Sequence, residues 1–156
     1  MFARLALEDE EDAFVALAKQ AVAESARHVG FSDAAVRRTF RRYIERANPT
    51  IFFADDRGEP VGFMMATVSD YTFAAGFFTT QEVIFVKRDK RGSRAAVLLL
   101  DEFIRWSDQL GAIENTGGND NGLFTDRTER LLRKRGFERV GVFMRRIGAA
   151  NGQEGR

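Results

Sequence analysis

Between residues 87 and 96 the chain combines clustered positive charge with small side chains. Its basic residues include Lys87, Lys90, Arg91 and Arg94. The small members are Gly92, Ser93, Ala95 and Ala96. An apolar run precedes the cluster and a leucine-rich run follows it, which predicts a strand that passes through a basic loop into a helix. The first amides of a helix lack an intrahelical acceptor, so small side chains there predict a site for a pyrophosphate or a cluster of phosphates. A solvated basic first turn is the alternative.

The residue inventory excludes several other chemistries. The 156 residues contain no Cys and a single histidine, His28. Disulfides, thiolate zinc sites and Cys nucleophiles are therefore excluded, and little material is left for a histidine metal cluster or a serine triad. We expect no metal. The pI near 8.1 lies below the value above about 9 that is typical of nucleic-acid-binding domains, so the composition favours a small polyanionic ligand.

One strand and two helices are predicted ahead of residue 50. The apolar segment Phe2–Leu7 predicts the strand. Apolar residues from Phe14 to Val22 recur with helical spacing behind an acidic run, which the positive end of a helix dipole favours. A second helix is predicted after Ser32, a suitable N-cap residue, and Asn48-Pro49 ends it.

Three β-type runs then lead to the basic loop. Thr50–Asp55 and Val61–Asp70 are rich in β-branched and aromatic residues and flank the turn formers Asp-Asp-Arg-Gly, which predicts a hairpin. Glu82–Val86 predicts the next strand. Beyond the loop, apolar residues from Ala96 repeat with helical spacing until Gly111 ends the helix.

A short strand, a helix and a sixth strand are predicted after Gly111. The short strand is Ala112–Asn115, Thr125 caps the helix, and Val140–Ile147 forms the sixth strand. The order β-α-α-β-β-β-α-β-α-β predicts a mixed, mostly antiparallel α/β (α+β) sheet with helices on both faces. The strand after the leucine-rich helix should pair in parallel, because a helical crossover connects it to the strand before.

The length of the chain suits one domain. We expect this domain to span residues 1–147, and we expect residues 148–156, which have no periodicity, to be a disordered tail. No apolar run reaches the roughly 18 residues of a membrane span, and the N-terminus turns acidic within ten residues. We therefore expect a cytoplasmic protein with no membrane contact.

The element order and two motifs resemble the GCN5-related N-acetyltransferase (GNAT) family, in particular its phage-associated and bacterial members. The first motif is Arg-Gly-Ser-Arg-Ala-Ala at residues 91–96, and the second is the Leu-Leu-x-x-x-Gly-Phe that ends at Phe137. The resemblance covers nearly the whole chain up to Phe137. It implies a GNAT-like fold and an N-acetyltransferase that uses acetyl-CoA as its co-substrate.

The resemblance also implies a set of cofactor-binding residues. The family's acetyl-CoA loop maps onto residues 91–96, where Arg94 replaces the middle glycine. That departure requires a helical φ at Arg94 and a side chain that turns outward. The preceding strand supplies backbone groups to the pantetheine arm in the family, and an asparagine touches the cofactor, for which Asn119 and Asn121 are candidates. The implied set is Phe85, Val86, Lys87, Arg91, Gly92, Ser93, Arg94, Ala95, Ala96 and Asn121.

In a subset of the family the strand before the loop also carries a glutamate that acts as general base, and Glu82 resembles it. Strand alternation places Glu82, Ile84 and Val86 on one face. We expect the carboxylate on a partly apolar surface, where burial makes a carboxylate a better proton acceptor near neutral pH. An exposed strand glutamate, or one paired with an arginine, is the alternative.

The general acid of many family members has no counterpart here. Its tyrosine position holds Leu132, which cannot donate a proton. Tyr71 and His28 could substitute for it, and strand packing and surface exposure are the alternatives for these two residues. Water is the third source of the proton, because a free thiol titrates near 8.5 and CoA thiolate can depart as an anion.

Residues and resemblance together predict transfer of acetyl to a primary amine by direct attack, with a small molecule or a protein amine as the acceptor. Two rival functions stay open. One is a catalytically idle acyl-CoA-binding regulatory module, which the missing tyrosine favours. The other is a nucleic-acid-binding domain, which the composition does not favour. The sequence does not decide the oligomeric state, and a homodimer is left open.

Overall fold

A five-stranded mixed sheet forms the centre of the fold, with its strands in the spatial order β1-β2-β3-β4-β5. The computed structural model describes residues 1–149. The strands are β1 (Phe2–Leu5), β2 (Thr50–Asp56), β3 (Glu59–Asp70), β4 (Phe77–Val86) and β5 (Glu114–Thr116). The first four strands pair antiparallel, whereas β5 runs parallel to β4. The parallel pair confirms the prediction made from the helical crossover.

Four α-helices cover the sheet, and none of those in residues 1–149 is long and apolar enough to cross a membrane. They are α1 (Glu11–Ser25), α2 (Asp33–Arg46), α3 (Ala95–Leu110) and α4 (Thr125–Arg133). The hydroxyl of Ser32 accepts a hydrogen bond from the amide of Ala35 at 3.2 Å, which confirms the predicted N-cap of α2.

The two faces of the sheet carry separate apolar cores. On one face Phe14 of α1 and Phe40 of α2 pack against the sheet residue Phe63, and the rings of Phe14 and Phe63 meet edge to face at 5.2 Å. On the other face Leu99 and Phe103 of α3 are fully buried against β2 and β3. The prediction of helices on both faces is therefore confirmed.

A β-bulge interrupts the ladder between β3 and β4. Met65 pairs with Val83 and the next residue, Ala66, pairs with Gln81, so Glu82 is an extra residue on β4. Such an insertion bends the strand, increases its twist and leaves the extra residue without a partner. The bulge therefore marks the point at which β4 changes direction.

The bulge also changes which side chains of β4 face α3: residues with odd numbers face it before the bulge, and residues with even numbers face it after the bulge. Before it, Thr79 faces α3, and its hydroxyl lies 2.7 Å from that of Ser107. After it, Ile84 and Val86 pack against the α3 core. The prediction that Glu82 shares a face with Ile84 and Val86 is wrong, because simple alternation does not continue across an inserted residue.

The predicted strand Val140–Ile147 does not form. Residues 138–148 belong to no helix or strand, and the backbone at 140–147 pairs with no strand of residues 1–149. A strand is stable only when a neighbouring edge satisfies its backbone groups. Most of the predicted tail, residues 150–156, lies outside the described residues.

Arg4 ties β1 to β2 and to the acidic turn before α1. Its guanidinium donates to both carboxylate oxygens of Glu10, at 2.7 and 2.8 Å, and to Asp55 at 2.8 and 3.2 Å. The side chain of Asp55 is almost fully buried. The hydrogen bonds from Arg4 hold the pKa of the Glu10 carboxyl below its usual value of 4.5.

Replacing Glu10 by Gln should lower the free energy of unfolding at pH 7 by about 1–3 kcal/mol, which is the usual contribution of hydrogen bonds to charged groups. Because the pKa of Glu10 is lower in the folded than in the unfolded protein, this contribution is present above the unfolded value of 4.5 and is lost as the pH falls below it. Urea unfolding of Glu10→Gln and of the control Glu8→Gln at several pH values measures this. A wild-type advantage over Glu10→Gln that does not change with pH would contradict it.

Candidate functional site

A cleft of about 700 Å³ opens where β4 separates from β5. The two strands pair only from Phe78 to Thr80 on β4. At the point of separation, Oε1 of the buried Gln81 accepts a hydrogen bond from the amide of Gly118 at 3.3 Å. Gln81 therefore holds the loop after β5 against the cleft. No local pattern in the sequence indicates this role, because it depends on a loop 37 residues away.

The half of β4 beyond the bulge presents a free backbone edge to the cleft. The amide of Lys87 donates to the carbonyl of Val61 on β3 at 2.9 Å. Alternation then directs the amides of Val86 and Ile84 away from β3, toward the cleft. An extended ligand that carries amide groups of its own can hydrogen-bond to such an edge. Of the three predicted backbone positions, only Val86 has this orientation.

The floor of the cleft is the N-terminus of α3. The amide of Ala95 is capped by the hydroxyl of Ser93 at 3.3 Å, and the first intrahelical bond runs from Leu98 to the carbonyl of Arg94. Four neighbouring amides donate to no acceptor within residues 1–149, namely those of Gly92, Arg94, Ala96 and Val97. Several free donors at the positive end of a helix form a site for an anion such as a pyrophosphate.

The predicted cofactor-binding residues divide into two groups. The cleft is lined by Phe85, Val86, Arg91, Gly92, Ser93, Ala96 and Asn121. It is not lined by Lys87, Arg94 or Ala95. Lys87 instead pairs with Glu59 at 2.6 Å, and Ala95 is fully buried in the α3 core. Arg94 replaces the middle glycine of the family motif, which requires a helical φ and an outward side chain. Both conditions hold, since φ is −78° and the side chain is exposed.

Arg91 links the loop to α1. Its guanidinium pairs with Glu24, and its Nε donates to the carbonyl of Val86 at 3.1 Å. The same group lies 5.8 Å from the ring centre of Phe85 and 5.7 Å from that of Phe124. Stacking between two aromatic rings fixes the guanidinium against the wall of the cleft.

Three of the five basic residues of the loop already have carboxylate partners. Lys87 pairs with Glu59 and Arg91 with Glu24, while Lys90 pairs with Asp56 at 2.9 Å. The hydrogen bond from Lys90 lowers the pKa of Asp56. A bound anion would therefore draw mainly on the backbone amides, since these cations are partly neutralised.

Glu82 lies on the wall of the same cleft. The hydroxyl of Thr67 donates to its Oε1 at 2.9 Å, and the side chain is exposed. The prediction of a partly buried carboxylate is wrong, because the bulge turns this residue out of the packed face. Within residues 1–149 no arginine or lysine pairs with Glu82, so its carboxylate is available to a ligand.

Tyr71 is not brought to this cleft. It follows the end of β3, where its hydroxyl donates to Glu114 at 2.8 Å and its ring packs against Phe78. Partial burial raises the pKa of Tyr71, and the hydrogen bond to Glu114 raises this pKa further by a smaller amount. Four residue steps along β4, about 13 Å of strand, lead from Phe78 beside Tyr71 to Glu82. The prediction of Tyr71 as a catalytic acid is not supported.

The other candidate positions form the outer wall. His28, exposed after α1, and Leu132 of α4 line the cleft. Asn119 also lines it, and its Oδ1 accepts hydrogen bonds from the amides of Asn121 and Gly122, so this side chain shapes the loop.

The predicted N-cap of α4 is wrong. Phe124, with a φ of 55°, occupies the N-cap position, and no side chain caps this helix. Thr125 is the first helical residue and does not line the cleft. Arg127, one turn along, lies 5.8 Å from the ring centre of Phe124, so guanidinium groups from two elements contact this ring.

Residues 16–137 match the model of the acetyltransferase (GNAT) family. The chain belongs to this family. The GNAT family uses acetyl-CoA, and the cleft fits that molecule on three counts: a free strand edge for the pantetheine arm, free helix amides for the pyrophosphate, and sufficient volume. No curated protein matches the sequence.

Solved structures show the same fold at low sequence identity. An integron cassette protein from the mobile metagenome of Cole Harbour Salt Marsh is 17% identical with a TM-score of 0.76, covering 94% of this chain and 90% of its own. A predicted acetyltransferase with acetyl-CoA from Clostridium acetobutylicum is 12% identical with a TM-score of 0.74 (93% and 94% coverage). The aminoglycoside N-acetyltransferase AAC(6')-Iy, in complex with a bisubstrate analogue, is 21% identical with a TM-score of 0.72 (93% and 97% coverage).

Replacing Ala96 by Glu should weaken CoA binding by roughly 100-fold or more, because a carboxylate would occupy the anion site beside the free amides. The fold should be retained, since the first turn of a helix favours an acidic residue. Titration calorimetry with CoA measures the affinity. Gln109→Glu, which adds the same charge at the far end of α3, is the control and should bind as the wild type does. Equal CoA affinity in Ala96→Glu and wild type would refute the site.

Proposed function

We propose that this GNAT protein transfers the acetyl group of acetyl-CoA to a primary amine, which attacks the thioester carbonyl directly. The observation that carries the proposal is the position of Glu82. Its exposed carboxylate lies on the wall of the cleft whose floor is formed by the free amides at the start of α3. One cleft thus combines a site for the cofactor with a proton acceptor.

The chain's own backbone would hold the cofactor. The amides of Gly92, Ala96 and Val97, which line the cleft, would bind the pyrophosphate. The outward amides of Val86 and Ile84 would bind the pantetheine arm, since the carbonyl of Val86 already accepts a hydrogen bond from Arg91. Acetyl-CoA supplies an activated acetyl thioester. Fixed amide donors along this strand edge orient the ligand and can polarise a carbonyl, which are the contributions expected of positioning and oxyanion stabilisation.

Glu82 would accept the proton that the attacking amine must lose, directly or through a water molecule. The hydrogen bond from Thr67 orients Oε1 and leaves the second oxygen to receive a proton. A primary amine is positively charged at neutral pH, so an exposed carboxylate also attracts it to the site. Asp120, which lines the same cleft, adds a second negative charge.

The proton for the departing thiolate would come from water. Leu132 lines the cleft at the position of the family's tyrosine, and Tyr71 lies at the other end of β4. A thiol that titrates near 8.5 leaves as an anion without an assigned acid. The accepting amine belongs to a small molecule or to a protein, and a panel of both kinds of amine distinguishes the two.

Replacing Glu82 by Gln should lower turnover by roughly 100-fold, which is typical for the loss of a general base, and should leave CoA affinity unchanged. The acidic limb of the pH–rate profile should disappear. Release of free thiol across a panel of amines measures turnover, and Glu45→Gln on α2 is the matched control.

A Glu82→Gln enzyme with wild-type turnover and pH profile would contradict the role of Glu82. Wild-type protein that binds CoA but releases no thiol with any amine would contradict transfer, and would favour an acyl-CoA-binding regulatory module.

Replacing Tyr71 by Phe should change turnover by no more than about threefold, because only the hydrogen bond to Glu114 outside the cleft is lost. A small loss of thermal stability is expected from the same bond. The same thiol-release assay measures this. A loss of roughly 100-fold in turnover with unchanged CoA affinity would show that Tyr71 is the acid after all.

A further inference from the structure

One carboxylate of helix α1 pairs with a cation on the wall of the cleft. Glu24 forms an ion pair with the guanidinium of Arg91, and both residues line the cleft. Their side chains are 26 and 27% exposed, so solvent screens the pair only in part. A ligand that enters the cleft therefore meets a guanidinium that already has an anionic partner.

The helix itself gives no reason for a carboxylate at this position. Glu24 lies in the last turn of α1, which ends at Ser25. The negative end of a helix dipole favours basic side chains and disfavours carboxylates. No basic residue occupies this turn. The ion pair with Arg91, rather than the helix, therefore accounts for the carboxylate at this position.

The other contacts of Arg91 hold its guanidinium in place. Nε donates to the carbonyl of Val86 at 3.1 Å, and the group lies 5.8 Å from the ring centre of Phe85 and 5.7 Å from that of Phe124. These contacts use one N–H and the faces of the planar group, and they leave its other N–H groups for an anion. A change of anionic partner therefore requires movement of Glu24 alone.

The site proposed for the pyrophosphate lies next to this ion pair. Gly92 follows Arg91 in the chain, and it lines the same cleft as Ala96 and Val97, whose amides are also free. An anion held by these amides would lie close to the carboxylate of Glu24, and two negative charges at short range repel each other. The chain thus carries an anion of its own beside a site for a second anion.

We propose that Glu24 competes with the pyrophosphate of the cofactor for the guanidinium of Arg91. Glu24 holds the guanidinium in the free protein and gives it up when CoA binds. The apparent Kd for CoA then exceeds the intrinsic Kd, because only molecules with an open ion pair offer Arg91 to the ligand. Return of Glu24 to Arg91 favours the release of CoA after the reaction. The inference rests on the proposed placement of the cofactor and adds a residue that sets its affinity.

Glu24→Gln removes the charge and keeps the size of the side chain. By titration calorimetry this variant should bind CoA about threefold to tenfold more tightly than the wild type, because a partly exposed ion pair no longer has to open. If Glu24 instead positioned Arg91 for the cofactor, the same change would weaken binding, so the direction of the change separates the two roles. Glu45→Gln on α2, outside the cleft, is the control and should bind CoA as the wild type does. Equal or weaker CoA binding by Glu24→Gln would overturn the inference.

Dephospho-CoA keeps the pyrophosphate and lacks the 3′-phosphate, so it identifies the group with which Glu24 competes. Glu24→Gln should gain the same affinity for dephospho-CoA as for CoA. It should gain none for pantetheine, which carries no phosphate. A gain confined to CoA would show competition with the 3′-phosphate and would overturn the inference, and an equal gain for pantetheine would overturn it as well.

A crystal structure of the wild type with CoA tests the exchange of partners directly. The carboxylate of Glu24 should lie more than about 4 Å from the guanidinium of Arg91, beyond the reach of an ion pair. An intact pair in the CoA complex would overturn the inference. Wild-type protein that binds no CoA would contradict the proposed function and this inference together, whereas CoA binding without a gain in Glu24→Gln would contradict this inference alone.

Discussion

A strand that carries one residue more than its neighbour cannot remain straight, and the rest of this site depends on that constraint. Glu82 is the extra residue of β4 opposite Met65 and Ala66. The bend it introduces accompanies the separation of β4 from β5 after Thr80, and it exchanges the faces of the strand. The same insertion therefore opens the cleft, frees the edge that a pantetheine arm would follow, and turns the carboxylate of Glu82 out of the packed layer.

The electrostatics of the cleft rest on oriented amides more than on surplus positive charge. Lys87, Lys90 and Arg91 all have carboxylate partners, so much of the positive charge of the basic loop is neutralised before a ligand arrives. Free amides at the start of α3 keep their partial positive charge whatever the side chains do. Arg91, fixed between Phe85 and Phe124, then serves to connect α1, the loop and α4 around the opening.

The sequence predicted the parts of the fold that local patterns determine. Helical spacing identified α1, α2 and α3, Ser32 was recognised as an N-cap, and the crossover helix correctly implied a parallel β4–β5 pair. The helix α4 was predicted from its end signals, of which the N-cap was misplaced. The sequence also located the small residues at the start of α3. The errors concern properties set by distant partners: the bulge at Glu82 depends on the register with β3, and the place of Tyr71 depends on Glu114, 43 residues away. Val140–Ile147 has the local pattern of a strand, but it pairs with no strand of residues 1–149.

We propose that acetyl-CoA lies along the free edge of β4 and over the N-terminus of α3. Hydrogen exchange of individual backbone amides with and without acetyl-CoA tests this placement. We expect slower exchange at Ile84, Val86 and the free amides of residues 92–97 in the bound form, with no change in the paired strands β1 and β2. Unchanged exchange at these positions under saturating acetyl-CoA, or protection concentrated elsewhere, would contradict this placement.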